Sequence, residues 1–544
     1  MNHIQLLDCT LRDGAYITNS EFGDAAIRGI ISKLQNARAD VIEIGWLKDA
    51  PHKSGSSFFH VPADAEPYIE EKDPRILYTA MIDWDRYDTD QLPPCDGRSV
   101  DAVRVVFPHG RHREGIEVGK KIREKGYQVM FQAANTLAYS DEDLLDLITC
   151  MNEFLPVSVS IVDTFGAMFF DDLERISGIL DSGLDPRISL GFHAHNNQQL
   201  AFALCIHFVK KLKNSVRTLM VDASLNGMGR GAGNATTELV MNYLNRKQHG
   251  NYDLNPVMEA LDVYISGFHE RYFWGYSTPY FIAGIYQCHV NNIAYLLKNH
   301  RTSARDMRSI IESLSAGDRR KYDYDLLEQK YMENQSRIID DALALKELKK
   351  AAAGRPVLLI APGKSVDTEL ARIRAYIAQE RPLIIAVNAL NPNYAECDYA
   401  IFINPARYEY ARNSHPELFG RIRKILLSNI KTEGNADEII VNYNLVVKRG
   451  WEHFDNAVII TLRLLNKIGA PHVVIAGFDG FRTKYNESYA DPNLPTLNPD
   501  NQWDALNEEI TDMFLDFRQS IGAKMKLEFL TESCFNTDGD EQAI

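Results

Sequence analysis

Over residues 1–245, short apolar runs recur between amphipathic stretches. The runs are 4–9, 41–47, 76–82, 102–107, 128–133, 157–162, 188–193 and 218–222. Each is five to seven residues long and bounded by polar or turn residues, which is the mark of a strand buried on both faces. Between them, at 24–35, 115–125, 141–154, 171–181 and 198–212, apolar residues recur at helical spacing. Eight such β-α units in roughly 245 residues match the usual size of a (β/α)8 barrel, about 250; a doubly wound open sheet is the alternative. Residues 246–354 keep only the helical period, at 256–270, 279–299 and 304–315. From 326 to 353 the chain is charged and Ala-rich, reading as a solvated helix at a domain boundary. A second alternation begins at 355. Apolar runs at 357–361, 383–387, 399–403, 424–428, 438–441 and 472–476 accompany helical stretches at 368–379 and 456–468. The expected class is α/β: an N-terminal TIM (β/α)8 barrel (1–245), a helical cap (246–330), a helical linker (331–354) and a C-terminal Rossmann-like open α/β domain (355–544).

Polar residues collect where the apolar runs end. Run one closes in Asp8-Cys9-Thr10-Leu11-Arg12-Asp13-Gly14, and run two carries Glu43 and Gly45. Run five leads into Gln132, Asn135 and Thr136, and run six ends in Asp163-Thr164-Phe165-Gly166. Run seven ends in Gly191-Phe192-His193-Ala194-His195-Asn196, and run eight leads through Asp222 into a Gly-rich loop, Gly227 to Asn234. One polar residue in such a place serves equally well as a helix N-cap. Six sets on the same end of the strands ring one barrel mouth, where active sites of this architecture lie. His193 and His195 are i and i+2 on a strand, so both imidazoles face one side and together make a plausible metal grip.

The motif Asp8-x-Thr10-Leu11-Arg12-Asp13-Gly14, the His193-x-His195 pair and the loop ending in Asn234 resemble the metal-dependent lyase and aldolase superfamily of (β/α)8 barrels. This superfamily includes hydroxymethylglutaryl-CoA lyase and 4-hydroxy-2-oxovalerate aldolase, and the resemblance covers about residues 1–300. It implies Asp13, His193 and His195 as divalent-metal ligands, with Asn234 a fourth ligand or near neighbour. A mixed oxygen and imidazole set suits Mn²⁺ or Mg²⁺, with Zn²⁺ the less favoured ion. The implied chemistry makes or breaks a C–C bond beside a 2-oxo acid such as pyruvate. The cation polarises the ketone, and Arg12 stabilises the developing enolate. Glu43, Asp163 and Thr164 are rim candidates for substrate binding, and Tyr276 or Tyr280 resembles the tyrosine that the aldolases bring from a helical cap. The chain departs from the family after Gly14. The aldolases have a catalytic histidine two residues on, where this chain has Tyr16. A phenol, with an ordinary pKa near 10, is a poor base unless shifted. Tyr16 therefore orients substrate, donates a proton, or acts as base only if ionised, and His60 and His109 are substitute bases.

The C-terminal half resembles bacterial sialyltransferases and related capsule or flagellin-modification proteins. The matching pieces are Pro362-Gly363-Lys364-Ser365, Asn388, Asn404-Pro405 and Gly477-x-Asp479. By that resemblance Gly363, Lys364, Ser365, Asn388 and Asn404 bind a nucleotide or nucleotide sugar. The Gly-containing strand-to-helix turn suits a phosphate, although it lacks the Walker A spacing. Those transferases use a downstream histidine as base, and no histidine follows His472.

Composition narrows the partners. The 544 residues carry a formal charge of −15, which argues against nucleic acid. No apolar run is long enough to span a bilayer, and Met1-Asn2-His3-Ile4-Gln5 lacks the features of a signal peptide. Seven cysteines without a Cys-x-x-Cys fit a reducing cytoplasm and no structural zinc. The acidic tail, 532–544, reads as disordered. The leading expectation is a cytoplasmic divalent-metal aldolase acting on a 2-oxo acid and an aldehyde, serving surface polysaccharide sugar synthesis and sized for a homodimer. The alternatives are a Claisen-type acyl-CoA condensing enzyme and a nucleotide-sugar protein with a vestigial barrel.

Overall fold

The computed structural model describes residues 4–300, 302–335, 339–432, 434–451, 453–482, 487–496 and 503–536. Residues 537–544 of the acidic tail lie outside the described residues. The chain falls into two compact units. One is Met1–Ile293 with Ala316–Lys321, and the other is Ala294–Ser315 with Tyr322–Ile544.

The first unit is a closed parallel barrel. Its strands are β1 (Ile4–Asp8), β2 (Val41–Leu47), β3 (Leu77–Asp83), β4 (Ala102–Phe107), β5 (Gln128–Ala133), β6 (Ser158–Asp163), β7 (Ser189–Ala194) and β8 (Leu219–Ala223). They pair in sequence order, and β1 closes the ring by pairing with both β2 and β8. The eight expected runs coincide with these strands to within one residue at either end. A two-residue strand, Phe58–Phe59, adds to β2 and carried no period to read. Alternate residues face the barrel axis. Leu7, Val41, Ala102, Met130 and Met220 form an apolar plug. Two residues further along the same strands stand Glu43, Arg104, Gln132 and Asp222, all buried. The interior is thus layered from apolar to charged toward the mouth. Outward-facing strand residues pack against the helices in one continuous core.

Beyond the barrel, the expected helix 256–270 is Leu254–Ala260, one π-helical turn at Leu261–Ile265, and Ser266–Arg271. The stretch 279–299, expected as one helix, is two, Thr278–Ile285 and Val290–Asn299. The break puts His289 in a loop.

The second unit contains a seven-stranded parallel sheet: β9 (Val357–Ile360), β10 (Leu383–Val387), β11 (Tyr399–Phe402), β12 (Arg423–Leu427), β13 (Glu438–Val441), β14 (His472–Ala476) and β15 (Lys526–Phe529). Their order is β13-β12-β11-β10-β9-β14-β15. The chain therefore reverses direction across the sheet between β9 and β14, the switch point where open α/β sheets bind ligands. The strands are buried on both faces. Leu359 and Ile385 belong to one core, Leu358 and Ile384 to the other. Among the described residues, no helix is long and apolar enough to cross a membrane.

Candidate functional site

The first strand hands the chain to a single helical turn, Thr10–Asp13, that is wholly buried. Asp8 fixes this turn by accepting from Thr10 N (2.9 Å) and from the Thr237 hydroxyl (2.6 Å). Trp46 Nε1 donates to the Arg12 carbonyl at 3.0 Å. The turn presents Arg12 and Asp13 side by side, Nη1 to Oδ1 at 2.7 Å, while Arg12 Nε donates to Glu43 Oε2 at 2.7 Å.

His193 and His195 leave β7 with rings 5.1 Å apart and nearly perpendicular. One ligand atom from each of Asp13, His193 and His195 lies within 4.8 Å of the other two, and all three residues are buried. The Gly-rich loop closes over this set. Asn234 lies in a bridge against His195 and donates from Nδ2 to Asp13 Oδ2 at 2.5 Å. Gly229 makes that closure possible, because a Cβ there would stand 2.5 Å from Asn234 Nδ2 and 2.9 Å from Asp13 Oδ2.

The electrostatics fit a divalent cation. Burial alone would raise the Asp13 carboxyl, but Arg12, His195 and His193 together hold it well below the usual carboxylate range, so it is anionic. Burial pushes His195 down to about 3, which keeps its imidazole neutral with a lone pair to give. His193 Nδ1 approaches Asp222 Oδ2 at 3.2 Å, and Nε2 faces Asp13 Oδ2 at 4.0 Å. A carboxylate on the far side of a ligand imidazole fixes its tautomer and orientation. Asn234 turns Nδ2 to Asp13, and its Oδ1 is buried without a hydrogen-bond partner among the described residues.

Beneath the ligands, Arg104 joins two of these carboxylates. It reaches Glu43 Oε2 at 2.9 Å and Asp222 Oδ2 at 2.5 Å, with its side chain and both partners wholly buried. Glu43 is thus tied to Arg12 and Arg104 below the mouth. The sequence drew attention to Glu43 but not to Arg104, which sits in the middle of an apolar run. Only the barrel register brings residues 43, 104 and 222 together.

Tyr16 stands at the mouth, 41% exposed, edge-on to Trp46 and 4.6 Å beneath the Arg230 guanidinium. Burial of the ring between Trp46 and Arg230 pushes its phenol up to about 12, against the pull of the Arg230 charge. Its hydroxyl therefore stays protonated near neutral pH. Asp163 is pushed up to about 7 by burial and accepts from Ala167 N (2.8 Å) and Met168 N (3.2 Å), holding the loop after β6. Thr164 Oγ1 accepts from Asn135 N at 2.7 Å. Tyr276 is half-exposed. Tyr280 is partly buried, and a Cβ on Gly231 would lie 3.7 Å from its ring. The other histidines considered as bases are engaged. His60 Nδ1 meets the Lys48 carbonyl at 3.2 Å, and His109 Nε2 meets Asp143 Oδ2 at 3.0 Å. His289, which sequence reasoning missed, is pushed down to about 3 by burial, with Arg230 adding to the shift.

In the second unit, a pocket of about 150 Å³ opens at the β9/β14 switch point. Gly363, Asn388, Asn404, Arg407, Asn456 and Tyr489 are among its lining residues. Asn404 and Asn456 cap the helices Pro405–Ser414 and Ala457–Ile468 there. Lys364 and Ser365 are not part of the lining. Asp479 already occupies their turn, accepting from Ser365 N (2.8 Å) and from Ser365 Oγ (2.5 Å). A carboxylate of the chain itself thus fills the anion position of that loop.

Residues 112–263 match the HMGL-like family model. The 4-hydroxy-2-oxovalerate aldolase of Roseiflexus castenholzii is 27% identical over 268 residues, covering 48% of this chain and 75% of that protein. The oxaloacetate decarboxylase of Mycobacterium tuberculosis is 26% identical over 263 residues, covering 47% and 74%. Among solved structures, hydroxymethylglutaryl-CoA lyase from Pseudomonas aeruginosa superposes with a TM-score of 0.38 at 17% identity, covering 48% of this chain and 91% of that one. The resemblance read from the N-terminal motifs is borne out in this part of the chain.

Proposed function

We propose that the barrel is a divalent-metal aldolase that forms or cleaves a C–C bond beside the ketone of a 2-oxo acid. The observation that carries this reading is the convergence of Asp13, His193, His195 and Asn234 on one point, directly beside the buried Arg12. The residues that would hold the ion are those four, and the oxygen and imidazole set favours Mn²⁺ or Mg²⁺. Bound there, the ion supplies Lewis acidity at the substrate carbonyl. Arg12, held by Asp13 and Glu43, presents its charge to the oxygen on which negative charge develops. Tyr16, protonated and facing the mouth under Arg230, is a hydrogen-bond donor to substrate rather than its base. Arg104 and Asp222 keep Glu43 and His193 in register. The similarity to 4-hydroxy-2-oxovalerate aldolases and to an oxaloacetate decarboxylase supports a pyruvate-forming reaction. Mn²⁺-dependent release of pyruvate from 4-hydroxy-2-oxo acids, lost in His195→Ala, is the expected result. Turnover only with an acyl-CoA donor would transfer the chain to the Claisen class.

For the second unit the pocket beside Asn388 and Asn404 supports binding of a nucleotide or nucleotide sugar, and with it a role in surface polysaccharide synthesis. Asn388 is buried, and its Oδ1 accepts from Ile403 N at 3.3 Å. Titration with nucleoside phosphates should show binding that Asn388→Ala and Asn404→Ala each weaken. Binding indifferent to both changes would remove this reading.

A further inference from the structure

We propose that the outer face of the barrel carries a second metal site, built from His112, Asp146 and Cys150 and suited to a borderline-soft divalent ion such as Zn²⁺. It is independent of the mouth and of the reaction assigned there.

The site is assembled by two neighbouring helices of the outer ring. His112 is the first residue of the helix His112–Glu124. Asp146 and Cys150 are four apart on the helix Asp141–Phe154, so they share one face. One ligand atom from each of the three lies within 4.8 Å of the other two. His112 and Cys150 are 7% and 6% exposed. His112 Nε2 meets Asp146 Oδ2 at 2.8 Å, while Arg113 pairs with the other oxygen, Oδ1. The carboxylate therefore has one oxygen for the centre and one held by an outer partner, the arrangement that orients ligand carboxylates.

One feature goes beyond what a helix-to-helix ion pair requires: a thiol ligand atom lies within 4.8 Å of both partners. His112 Nδ1, across the ring from the nitrogen that meets Asp146, is buried with no hydrogen-bond partner among the described residues. Cys150 borders an open groove, so the thiol side of the cluster is reached from solvent. Sulfur, nitrogen and oxygen together select zinc-like ions, whereas the mouth offers only oxygen and nitrogen. Without metal, burial pushes the Cys150 thiol up, so the free side chain is protonated. Binding replaces the S–H bond by an S–metal bond and releases one proton to solvent, with no change of oxidation state. Apparent affinity should then fall about tenfold per pH unit on the acid side.

The experiment is titration of the metal-free, full-length protein with Co²⁺, read in the near ultraviolet, where only a thiolate ligand gives a sulfur-to-cobalt charge-transfer band. The expected result is a band that saturates with an intensity of one thiolate-bound cobalt per chain and is displaced by Zn²⁺. It should be absent in Cys150→Ser and unchanged in Cys9→Ser and Asp13→Asn. His112→Gln, which leaves the thiol in place, should weaken Co²⁺ uptake at this site at least tenfold and serves if Cys150→Ser fails to fold. No band in the wild-type protein, a band that survives Cys150→Ser, or an affinity unmoved by His112→Gln would each overturn the proposal.

Discussion

Asp222→Asn tests how the buried layer below the mouth acts on the ligands above it. Asp222 Oδ2 lies 3.2 Å from His193 Nδ1 and 2.5 Å from Arg104, with no exposed side-chain surface. An asparagine fits the same space but has one acceptor. Both contacts fall on one oxygen, so an asparagine oxygen in that place meets Arg104 and His193 without the charge that holds the ring's proton on Nδ1. A proton free to move to Nε2, the nitrogen that faces Asp13 at 4.0 Å, blocks the lone pair offered to the ion. Loss of such an outer partner weakens metal binding about 10- to 100-fold, which is about 1.4–2.8 kcal/mol. Arg104 loses one of its two carboxylates but keeps Glu43 at 2.9 Å, so the fold should weaken by about 3 kcal/mol, the low end for breaking a buried pair. The assay is Mn²⁺ titration of the metal-free variant by calorimetry, with circular dichroism at the same temperature to establish that the barrel is intact. A folded variant that binds Mn²⁺ as tightly as the wild type would refute the orienting role of Asp222.

Asp163 should make stability depend on pH. Its folded pKa of about 7 lies above the ordinary 3.8, so the native state keeps a proton that the unfolded chain has released. The associated stability is present below about pH 4 and is lost as pH rises toward about 7, at about 1.4 kcal/mol per unit. Relative to Asp163→Asn, wild-type unfolding free energy should fall over that window, and a flat difference would refute the assignment. Tyr16→Phe should lower turnover without moving either limb of the pH–rate profile between pH 6 and 9, because a phenol at about 12 does not titrate there; a lost limb would make Tyr16 the base after all. Gly363→Ala should unsettle the C-terminal pocket, since its Cβ would meet the Gly477 carbonyl at 2.4 Å and Asp479 Cγ at 2.5 Å. A cost of about 1–3 kcal/mol in the unfolding of that unit is expected, as for overpacking, and an unchanged melting temperature would contradict it.

Short apolar runs and helical spacing were enough to read the barrel strands and the first six strands of the second sheet. β15 escaped because Lys-Leu-Glu-Phe is short, half charged and on a sheet edge, with no apolar run to mark it. The break between Thr278–Ile285 and Val290–Asn299 escaped because the apolar positions on both sides continue one period. At the mouth, Asp13, His193, His195 and Asn234 were legible because local motifs carry them. Arg104 and its partners were not, since residues 43, 104 and 222 meet only through strand register. The turn at Lys364 and Ser365 reads locally as an anion site. Its occupant, Asp479, lies 114 residues further along the chain, beyond the reach of any local pattern.

The proposed reaction needs a divalent ion at the mouth to polarise a 2-oxo acid. The most direct measurement is Mn²⁺-dependent exchange of solvent deuterium into the methyl group of pyruvate, followed by NMR, because it needs no knowledge of the aldehyde. Exchange is expected to require Mn²⁺ and to disappear in Asp13→Ala. Exchange that is independent of metal, or that survives Asp13→Ala in a folded protein, would contradict it.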